Sequence, residues 1–338
     1  MQLRQVTFKR FEEVALELGV TLPIEQTEAW SRLEETVEGR APWGCCVIEG
    51  EDERVKALIS FVDYKTHGYH YLRSHHGPVW VEEPGPEEER KAILAIQDFV
   101  RGRDKRQVFA RLCVKSELPQ THQTLSSYPY DQTVVIDLTG GDEQILSRMK
   151  PRGRRDVRKS LRECQAVFAD ETERASASFD EYYEVMVETA ERDDFVPAPC
   201  AEYENMLRIL GPGRCRLFAG RIDGRLITWT IATISGSSAV RYYGASRGEA
   251  ARALATDGLI YYECCELGRM GCVSYDQMGI GSDLTPELAR LNTFKTKFAK
   301  EVTPVAPDRD IAFKELGYAA LVRAKSLRGW LRSVTGRE

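Results

Sequence analysis

Residues 214–246 read RCRLFAGRIDGRLITWTIATISGSSAVRYYGAS and consist of three apolar runs. Asp223 and Gly224 separate the first run from the second. Because Gly224 can adopt the positive φ angle that a tight turn needs, this dipeptide predicts a β-hairpin. The segment therefore predicts three adjacent antiparallel strands.

A helix and a fourth strand are predicted directly after these three strands. Residues 255–271, ATDGLIYYECCELGRMG, have the length of a helix, and residues 273–280, VSYDQMGI, have that of a strand. Three antiparallel strands, a helix and a fourth strand are the element order of the acetyltransferase-like, or GNAT-like, fold. Residues 26–128 show a similar order that is shorter by one helix. We therefore expect an α/β (α+β) protein with two tandem GNAT-like domains.

Length and composition agree with two domains in an aqueous compartment. The 338 residues, of which 42% are hydrophobic, are enough for two medium-sized cores. No run approaches the roughly 20 apolar residues of a membrane span, and the N-terminus lacks the apolar block of a signal peptide. The nine cysteines include no CxxC pair and are typical of reduced, buried residues. We expect a cytoplasmic monomer.

A strongly basic segment contrasts with the acidic balance of the whole chain. Residues 149–164, MKPRGRRDVRKSLREC, carry seven Lys and Arg, whereas the chain has a net charge of -5. If a helix begins near residue 142, Ile145, Met149 and Leu161 mark one side of it and five basic residues mark another. These five are Arg148, Arg152, Arg155, Lys159 and Arg162. The segment is either a solvated face or an anion-binding face, for which phosphates are the natural partners.

The order of several motifs resembles that of Fem-type peptidoglycan aminoacyltransferases. Residues 132–164 resemble the family segment in which a strand ending in Asp-Leu leads into a basic helix. The following segments then occur in the family order: ETAERDDF (188–195), RLFAGRIDGRLI (216–227), YYGAS (242–246), YDQMGI (275–280) and NTFKTKFA (292–299). The resemblance covers residues 125–305 in particular.

The resemblance implies both an architecture and an activity. It implies a first GNAT-like domain formed by residues 1–133 with 305–338 and a second formed by 134–304, without the helical-hairpin arm of some members. It also implies transfer of an amino acid from aminoacyl-tRNA to the side-chain amine of a peptidoglycan precursor, either lipid II or UDP-MurNAc-pentapeptide. An aminoacyl ester is already activated, so we expect no cofactor, ATP or metal. The sequence contains no Walker A, GxSxG or HExxH motif.

The resemblance assigns a catalytic group to the second domain. Lys295 matches the lysine of the family's F-K-x-x-F motif, and Phe294 precedes it in that motif. Asp276 is added to the expected catalytic group because it ends a strand beside Gly279, where side chains commonly point into a site; the alternative is a plain turn carboxylate. A cation at this place would stabilise the oxyanion or hold a stem-peptide carboxylate. Spacing alone leaves a plainer alternative, in which Phe294 and Phe298 form a core stripe with Lys295 and Lys297 as its exposed edge.

Three further residues are assigned to the substrate channel. Arg192 matches a family contact to the precursor phosphate, and Tyr243 matches a channel tyrosine. Tyr242 is expected on the opposite face of the strand, so one of the two rings would lie in the core and the other would line the channel.

Two segments of the first domain resemble motifs of the Fem family less closely. QTEAW, residues 26–30, resembles the family's early helix start, after which a phosphate-binding lysine is expected; here Arg32 or Arg40 would replace it. YLRSHHGPVWVEE, residues 71–83, resembles the family's Y-x-P-R-G-P turn.

The second of these segments supplies three more candidates. Arg73 is assigned to the substrate, and His76 stands where the family has an arginine. Glu82 or Glu83 stands where the family has an acidic residue, so either is a candidate proton acceptor.

The basic segment is assigned to the donor. We expect Arg152, Arg155 and Lys159 to contact tRNA phosphates. A related enzyme of secondary metabolism would share this donor, and a nucleic-acid-binding module would explain the basic segment alone. An acetyl-CoA-dependent acetyltransferase is the other alternative, but residues 247–258, RGEAARALATDG, lack the paired glycines of a pyrophosphate loop.

Two remaining patterns have plain explanations. Four histidines cluster in one stretch: His67, His70, His75 and His76. Their spacing does not direct them to one ion, so we expect no metal. The C-terminal YAALVRAKSLRGWLRSV, residues 318–334, is expected to be a helix that docks on the core or, as a basic amphipathic edge, contacts the inner membrane face.

Overall fold

The computed structural model describes residues 1–125 and 128–335, with the side chains of the last helix up to Leu327. The chain divides into two compact units, Met1–Pro129 with Ala306–Glu338 and Tyr130–Val305. The boundary after Pro129 lies before the first strand of the second unit, Gln132–Asp137. The boundary that the resemblance implies, after residue 133, would fall within that strand. Both units combine helices with a sheet, which confirms the predicted α/β class.

A seven-stranded sheet forms the centre of the first unit. Its strands are β1 (Gln2–Val6), β2 (Arg40–Glu49), β3 (Val55–Thr66), β4 (Tyr69–Arg73), β5 (Val79–Trp80), β6 (Gln107–Cys113) and β14 (Asp308–Ala312). The order is β1-β2-β3-β4-β6-β14, and β5 pairs with β3. Among the described strands of this sheet, only β4 and β6 are parallel neighbours. The helices are α1 (Phe8–Glu17), α2 (Glu28–Glu34), α3 (Pro86–Arg103) and α11 (Glu315–Thr335).

The second unit is built around another seven-stranded sheet. Its strands are β7 (Gln132–Asp137), β8 (Val167–Asp170), β9 (Cys215–Ile222), β10 (Arg225–Ser235), β11 (Ser238–Ser246), β12 (Ser274–Gly279) and β13 (Thr303–Pro304), in the order β13-β7-β12-β11-β10-β9-β8. The helices are α4 (Asp142–Arg148), α5 (Pro151–Glu163), α6 (Thr172–Ala177), α7 (Asp180–Asp193), α8 (Cys200–Leu210), α9 (Ala255–Arg269) and α10 (Ala289–Lys295). No described helix of this unit exceeds the 15 residues of α9, so it has no long hairpin arm.

The three strands predicted from residues 214–246 form as expected. Asp223 and Gly224 have φ angles of 49° and 79°, and β9 pairs antiparallel with β10. The next strand pair is unusual. β11 and β12 are parallel, but their pairing ends at Val240 and Asp276, although both strands continue. Parallel strands that separate in this way leave a wedge-shaped gap between their carboxyl ends.

One face of the second sheet is covered by α9. Leu259, Ile260 and Cys264 of this helix are fully buried and belong to one core cluster with Ile136 and Tyr275. Each fully buried aliphatic side chain contributes about 1.5–3 kcal/mol relative to an exposed one. This packing fixes α9 on the sheet and thereby determines where its polar side chains lie.

The basic segment is not one continuous helix. Lys150 is extended, with a ψ angle of 157°, because the ring of Pro151 disfavours helical geometry in the residue before it. Arg148 therefore ends α4 and donates a 2.5 Å hydrogen bond to the carbonyl of Thr139, so it is not in line with the arginines of α5. Leu161, expected on an apolar side, is 59% exposed.

The last helix belongs to the first unit. Tyr318 is buried near its start, whereas Leu327 is 60% exposed. The side chains of Arg328, Trp330, Leu331 and Arg332, which entered the prediction of a membrane-contacting edge, lie outside the described residues. None of the helices in the described part of the chain is long and apolar enough to cross a membrane.

Candidate functional site

Lys295, at the end of α10, lies against the end of β12. Its ammonium donates hydrogen bonds of 2.8 Å to the carbonyl of Gly279 and 3.3 Å to that of Met278. These carbonyls belong to a β-bulge, in which Met278 adopts a φ angle of 60° that non-glycine residues rarely take. Such local strain is typical of functional sites.

The surroundings of Lys295 favour its neutral form more than water does. Burial, and secondly the positive charge of Arg241, lower the pKa of Lys295 from 10.5 to about 8, while Asp276 acts in the opposite direction. Lys295 is therefore mostly charged at pH 7 but close to its titration range. A largely desolvated ammonium can interact strongly with a negative charge that forms nearby.

Lys297 has a different role from its neighbour. It is 6% exposed, and its ammonium pairs with Asp257 and, at 3.3 Å, with Asp156. The ammonium also lies 4.9 Å from the ring centre of Phe294. The alternative prediction of Lys295 and Lys297 as an exposed helix edge is therefore wrong, because both ammonium groups are engaged by this unit.

Asp276 and Phe294 lie at the same end of β12. The Asp276 carboxylate accepts hydrogen bonds from the Thr133 hydroxyl and, at 2.7 Å, from the Met278 amide. Phe294 packs edge-to-face on Phe298 with 5.3 Å between ring centres. Asp276 thus holds the bulge on which the ammonium of Lys295 rests, and Phe294 belongs to the adjoining core.

A buried polar cluster lies on the same sheet face as α9. Glu263 is 0% exposed, accepts a 2.7 Å hydrogen bond from Tyr275 and lies 3.7 Å from Arg241. Burial raises the pKa of Glu263. Sequence reasoning missed this cluster, although a glutamate within the apolar run IYYECCEL was the available signal.

Arg192, Tyr242 and Tyr243 lie near the carboxyl end of β11. Arg192 donates a 2.6 Å hydrogen bond to the carbonyl of Ser246 and pairs with Asp193 at 3.2 Å. The prediction that the two tyrosines lie on opposite faces is wrong, because their ring centres are 5.3 Å apart. A bulge in the pairing of β10 with β11 interrupts the alternation there.

The three residues assigned to tRNA are exposed on α5. Arg152 and Arg155 lie 3.7 Å and 3.0 Å from Asp156, and Lys159 lies 3.9 Å from Glu163. Their side chains remain 51% to 72% exposed. Exposed pairs of this kind are weak, so the three cations remain available to a phosphate-bearing partner.

The first unit contains a cavity of about 880 Å³ beside β3, β4 and α11. Basic and aromatic side chains line it, among them Arg40, Tyr64, Tyr71, Arg73 and Arg111. The cavity brings together two of the sequence candidates, since it contains Arg73 and Arg40. Its size is that of a small-molecule site.

The remaining candidates of the first unit lie elsewhere. Arg32 is exposed and pairs with Glu28 at 3.0 Å, whereas Glu82 is exposed and Glu83 pairs with Lys115. His76 lies 3.7 Å from the buried carboxylate of Glu25.

The fold is that of GNAT acyltransferases. Residues 151–283 match the family model Acetyltransf_6, an acetyltransferase (GNAT) domain. A tandem GNAT protein from the clavulanic acid biosynthesis pathway is similar in structure, with a TM-score of 0.53, 12% identity and coverage of 92% of this chain and 98% of that one. These matches confirm the predicted tandem GNAT-like architecture.

Two further structures sharpen the comparison. FemX is similar with a TM-score of 0.74 and 15% identity, covering 95% of this chain and 99% of that chain. The C-terminal domain (DUF2156) of a putative lysylphosphatidylglycerol synthetase from Agrobacterium fabrum has a TM-score of 0.55 and 15% identity, with coverage of 95% and 97%. No curated protein matches the sequence. The Fem-type resemblance of the motifs is thus accompanied by a Fem-like fold.

Proposed function

We propose that the protein transfers an amino acid from aminoacyl-tRNA to an amine of a peptidoglycan precursor. One observation carries the proposal: the motif lysine Lys295 lies, half-buried and hydrogen-bonded to the β12 bulge, at the open end of the parallel strands of a FemX-like fold. In this position its charge can act on an acyl group held between the strands.

The chemistry needs few groups beyond this one. The acceptor amine attacks the ester carbonyl carbon, and the carbonyl electrons move onto oxygen. When this intermediate collapses, the bond to the tRNA ribose breaks, and the ribose oxygen takes up the proton that the amine gives up. Lys295 would stabilise the oxyanion, and positioning of the two substrates would supply much of the remaining acceleration.

The two substrates are assigned to different surfaces. The exposed cations Arg152, Arg155 and Lys159 of α5 would hold tRNA phosphates. Arg192, beside the end of β11, would contact the precursor phosphate, with Tyr242 and Tyr243 beside the channel. The cavity that contains Arg73 is a candidate for a further part of the acceptor, while Glu82 stays a candidate only by resemblance. We propose a cytoplasmic monomer that needs no cofactor and can approach the inner membrane face.

The decisive experiment offers the pure protein charged total tRNA and both precursor types, followed by mass spectrometry. A mass increase of one amino acid residue on lipid II or on UDP-MurNAc-pentapeptide identifies donor and acceptor together. Chelation should leave single-turnover transfer unchanged. Transfer from acetyl-CoA, with no transfer from charged tRNA, would contradict the proposal.

A further inference from the structure

The gap between β11 and β12 contains buried polar atoms without partners. Gln277 is 1% exposed, and neither its amide oxygen nor its amide nitrogen has a hydrogen-bond partner among the described residues. The Nε atom of Arg241 is buried and also lacks such a partner in the described chain. A buried unpaired group of this kind costs about 1–3 kcal/mol of stability. Several of them in one place therefore suggest a ligand.

Strand register places Arg241 and Gln277 on either side of this gap. Ala239 is the parallel partner of Tyr275, so their side chains share a face of the sheet. Arg241 and Gln277 each follow two residues later and project from that face. The burial pattern along β12 supports this common face, because Tyr275 and Gln277 are buried whereas Ser274, Asp276 and Met278 are only partly buried. The strands are no longer paired at this level.

The guanidinium of Arg241 lies over the carboxyl-terminal half of β11, where Gly244 pairs with Thr230 of β10. Its Nη2 atom donates a 2.9 Å hydrogen bond to Thr230, and its Nε atom lies 3.7 Å from Glu263, too far for a hydrogen bond. A Cβ atom at Gly244 would lie 2.9 Å from Nη2, so the glycine leaves space for the guanidinium. Glu263 balances the charge of Arg241 but leaves its Nε–H group available.

We propose that Arg241 and Gln277 complete an oxyanion hole with Lys295 in this gap. The ligand is the carbonyl oxygen of the acyl donor, which becomes negative when the acceptor amine adds to the carbonyl carbon. Arg241 Nε–H, the Gln277 amide N–H and the Lys295 ammonium are the donors. The inference rests on the proposed acyl transfer and names further catalytic residues for it, with Glu263 as a positioning residue for Arg241.

Gln277 distinguishes this role from a structural one. Leucine has a similar volume, and the Gln277 side chain makes no hydrogen bond within the described part of the chain that its replacement would break. If the residue only filled space, Gln277→Leu would therefore be neutral or stabilising and fully active. If the amide belongs to an oxyanion hole, the same variant should fold at least as stably as wild type and lose activity.

The test compares Gln277→Leu with Thr233→Val. Thr233 is a matched control because its hydroxyl is also buried and unpartnered in the described chain, but it pairs with Val240 and so projects from the other face. We expect kcat of Gln277→Leu to fall about 100-fold, with the acceptor KM and the melting temperature not impaired. Thr233→Val should retain wild-type kcat. Wild-type kcat in Gln277→Leu would overturn the inference.

A binding measurement separates this inference from the proposed function. Methyl methylphosphonate is a tetrahedral anion that mimics the intermediate, and its binding, followed by ³¹P NMR, requires no acyl donor. Weaker binding to Gln277→Leu than to wild type and Thr233→Val supports the oxyanion hole, even if charged tRNA is not the donor. Equal binding to all three proteins would overturn it, even if aminoacyl transfer is observed.

The contribution of Arg241 is tested in a double variant. Arg241→Met combined with Glu263→Gln leaves no unpaired buried charge, which makes folding easier to preserve than in the single variant. We expect a loss of kcat and of phosphonate binding similar to that of Gln277→Leu. Normal kcat in the folded double variant would remove Arg241 from the site.

Discussion

Each unit places an arginine beside a buried carboxylate, but the two pairs are made differently. In the first unit, Arg111 and Asp310 form two hydrogen bonds of 2.7 Å and 3.0 Å, and both residues are at most 1% exposed. Tyr318 and the amide of Leu125 also donate to Asp310. In the second unit, Arg241 and Glu263 stay 3.7 Å apart, and each keeps a side-chain atom without a partner in the described chain.

This difference indicates what each pair is for. A buried ion pair offsets its desolvation only when its remaining hydrogen-bonding groups are satisfied. Asp310 meets this condition and joins β14 to β6, which ties the returning chain segment into the first sheet. Arg241 and Glu263 do not meet it, and they border the gap where the strands separate. The satisfied pair maintains the fold, whereas the incomplete pair leaves donors available for a ligand.

The largest expected effect breaks the satisfied pair. Asp310→Asn removes the charge that neutralises buried Arg111, so we expect the free energy of unfolding to fall by about 3–5 kcal/mol. Urea denaturation measures it. Glu263→Gln is the matched variant in the other unit and should cost less, because its ion pair lacks direct hydrogen bonds. Equal losses in the two variants would contradict the distinction drawn between the pairs.

The next expected effect concerns activity. Lys295→Met keeps the aliphatic stem and removes the charge beside the gap, so transfer should decrease by about tenfold or more without loss of folding. Single-turnover transfer and circular dichroism measure the two properties. Lys300→Met, at an exposed position nearby, is the control and should remain active. Full activity of Lys295→Met would assign the lysine a merely structural role.

A moderate effect is expected from pH. Because the pKa of Lys295 is lowered to about 8, its charge is present below this pH and is lost as the pH rises through it. The ratio of wild-type to Lys295→Met transfer rates should therefore decline above about pH 8. Taking this ratio cancels the titration of the acceptor amine. A ratio that stays constant up to pH 10 would contradict a role for the Lys295 charge with this lowered pKa.

The smallest expected effect concerns donor binding by α5. Replacing Arg152, Arg155 and Lys159 with Gln should weaken charged-tRNA binding and reduce its salt dependence by a slope of about 0.7 to 0.9 per lost phosphate contact. The helix should persist, since Gln has nearly the helix propensity of Lys and Arg.

A charge-matched control separates a specific surface from net charge. The exposed residues Lys9, Lys105 and Arg214 can be replaced with Gln, which removes the same charge elsewhere. This control should bind tRNA almost normally. If the α5 variant instead binds tRNA normally and loses the diphosphate-bearing precursor, the two substrate surfaces are exchanged.

Local sequence patterns predicted the elements of the second unit well. The Asp223-Gly224 turn and the strand-strand-strand-helix-strand order are local properties, and both are confirmed. The prediction of one continuous basic helix was wrong because Pro151 disfavours helical geometry at Lys150. The prediction followed the spacing of the basic residues and did not take this local effect of proline into account.

The candidate site was predictable only in part. Lys295 could be found by motif resemblance, but its burial depends on a bulge in β12 that no spacing rule gives. Gln277 and Arg241 are 36 positions apart in sequence and come together because β11 and β12 stop pairing at one level, which is a tertiary property. The face of Tyr242 was mispredicted for a similar reason, since a bulge in a neighbouring strand pair changed it.

The close approach of α5 to Lys297 has a consequence for which tRNA donors the protein could use. Gly153 has no side chain to hold α5 away from the Lys297 carbonyl, and the Lys150 amide donates a 3.0 Å hydrogen bond to that same carbonyl. The proposed phosphate-binding helix is thus joined directly to the chain two residues after Lys295. If α5 binds tRNA, the distance from α5 to Lys295 is therefore set by this contact. Only a tRNA whose acceptor stem spans that distance would bring its ester to the lysine.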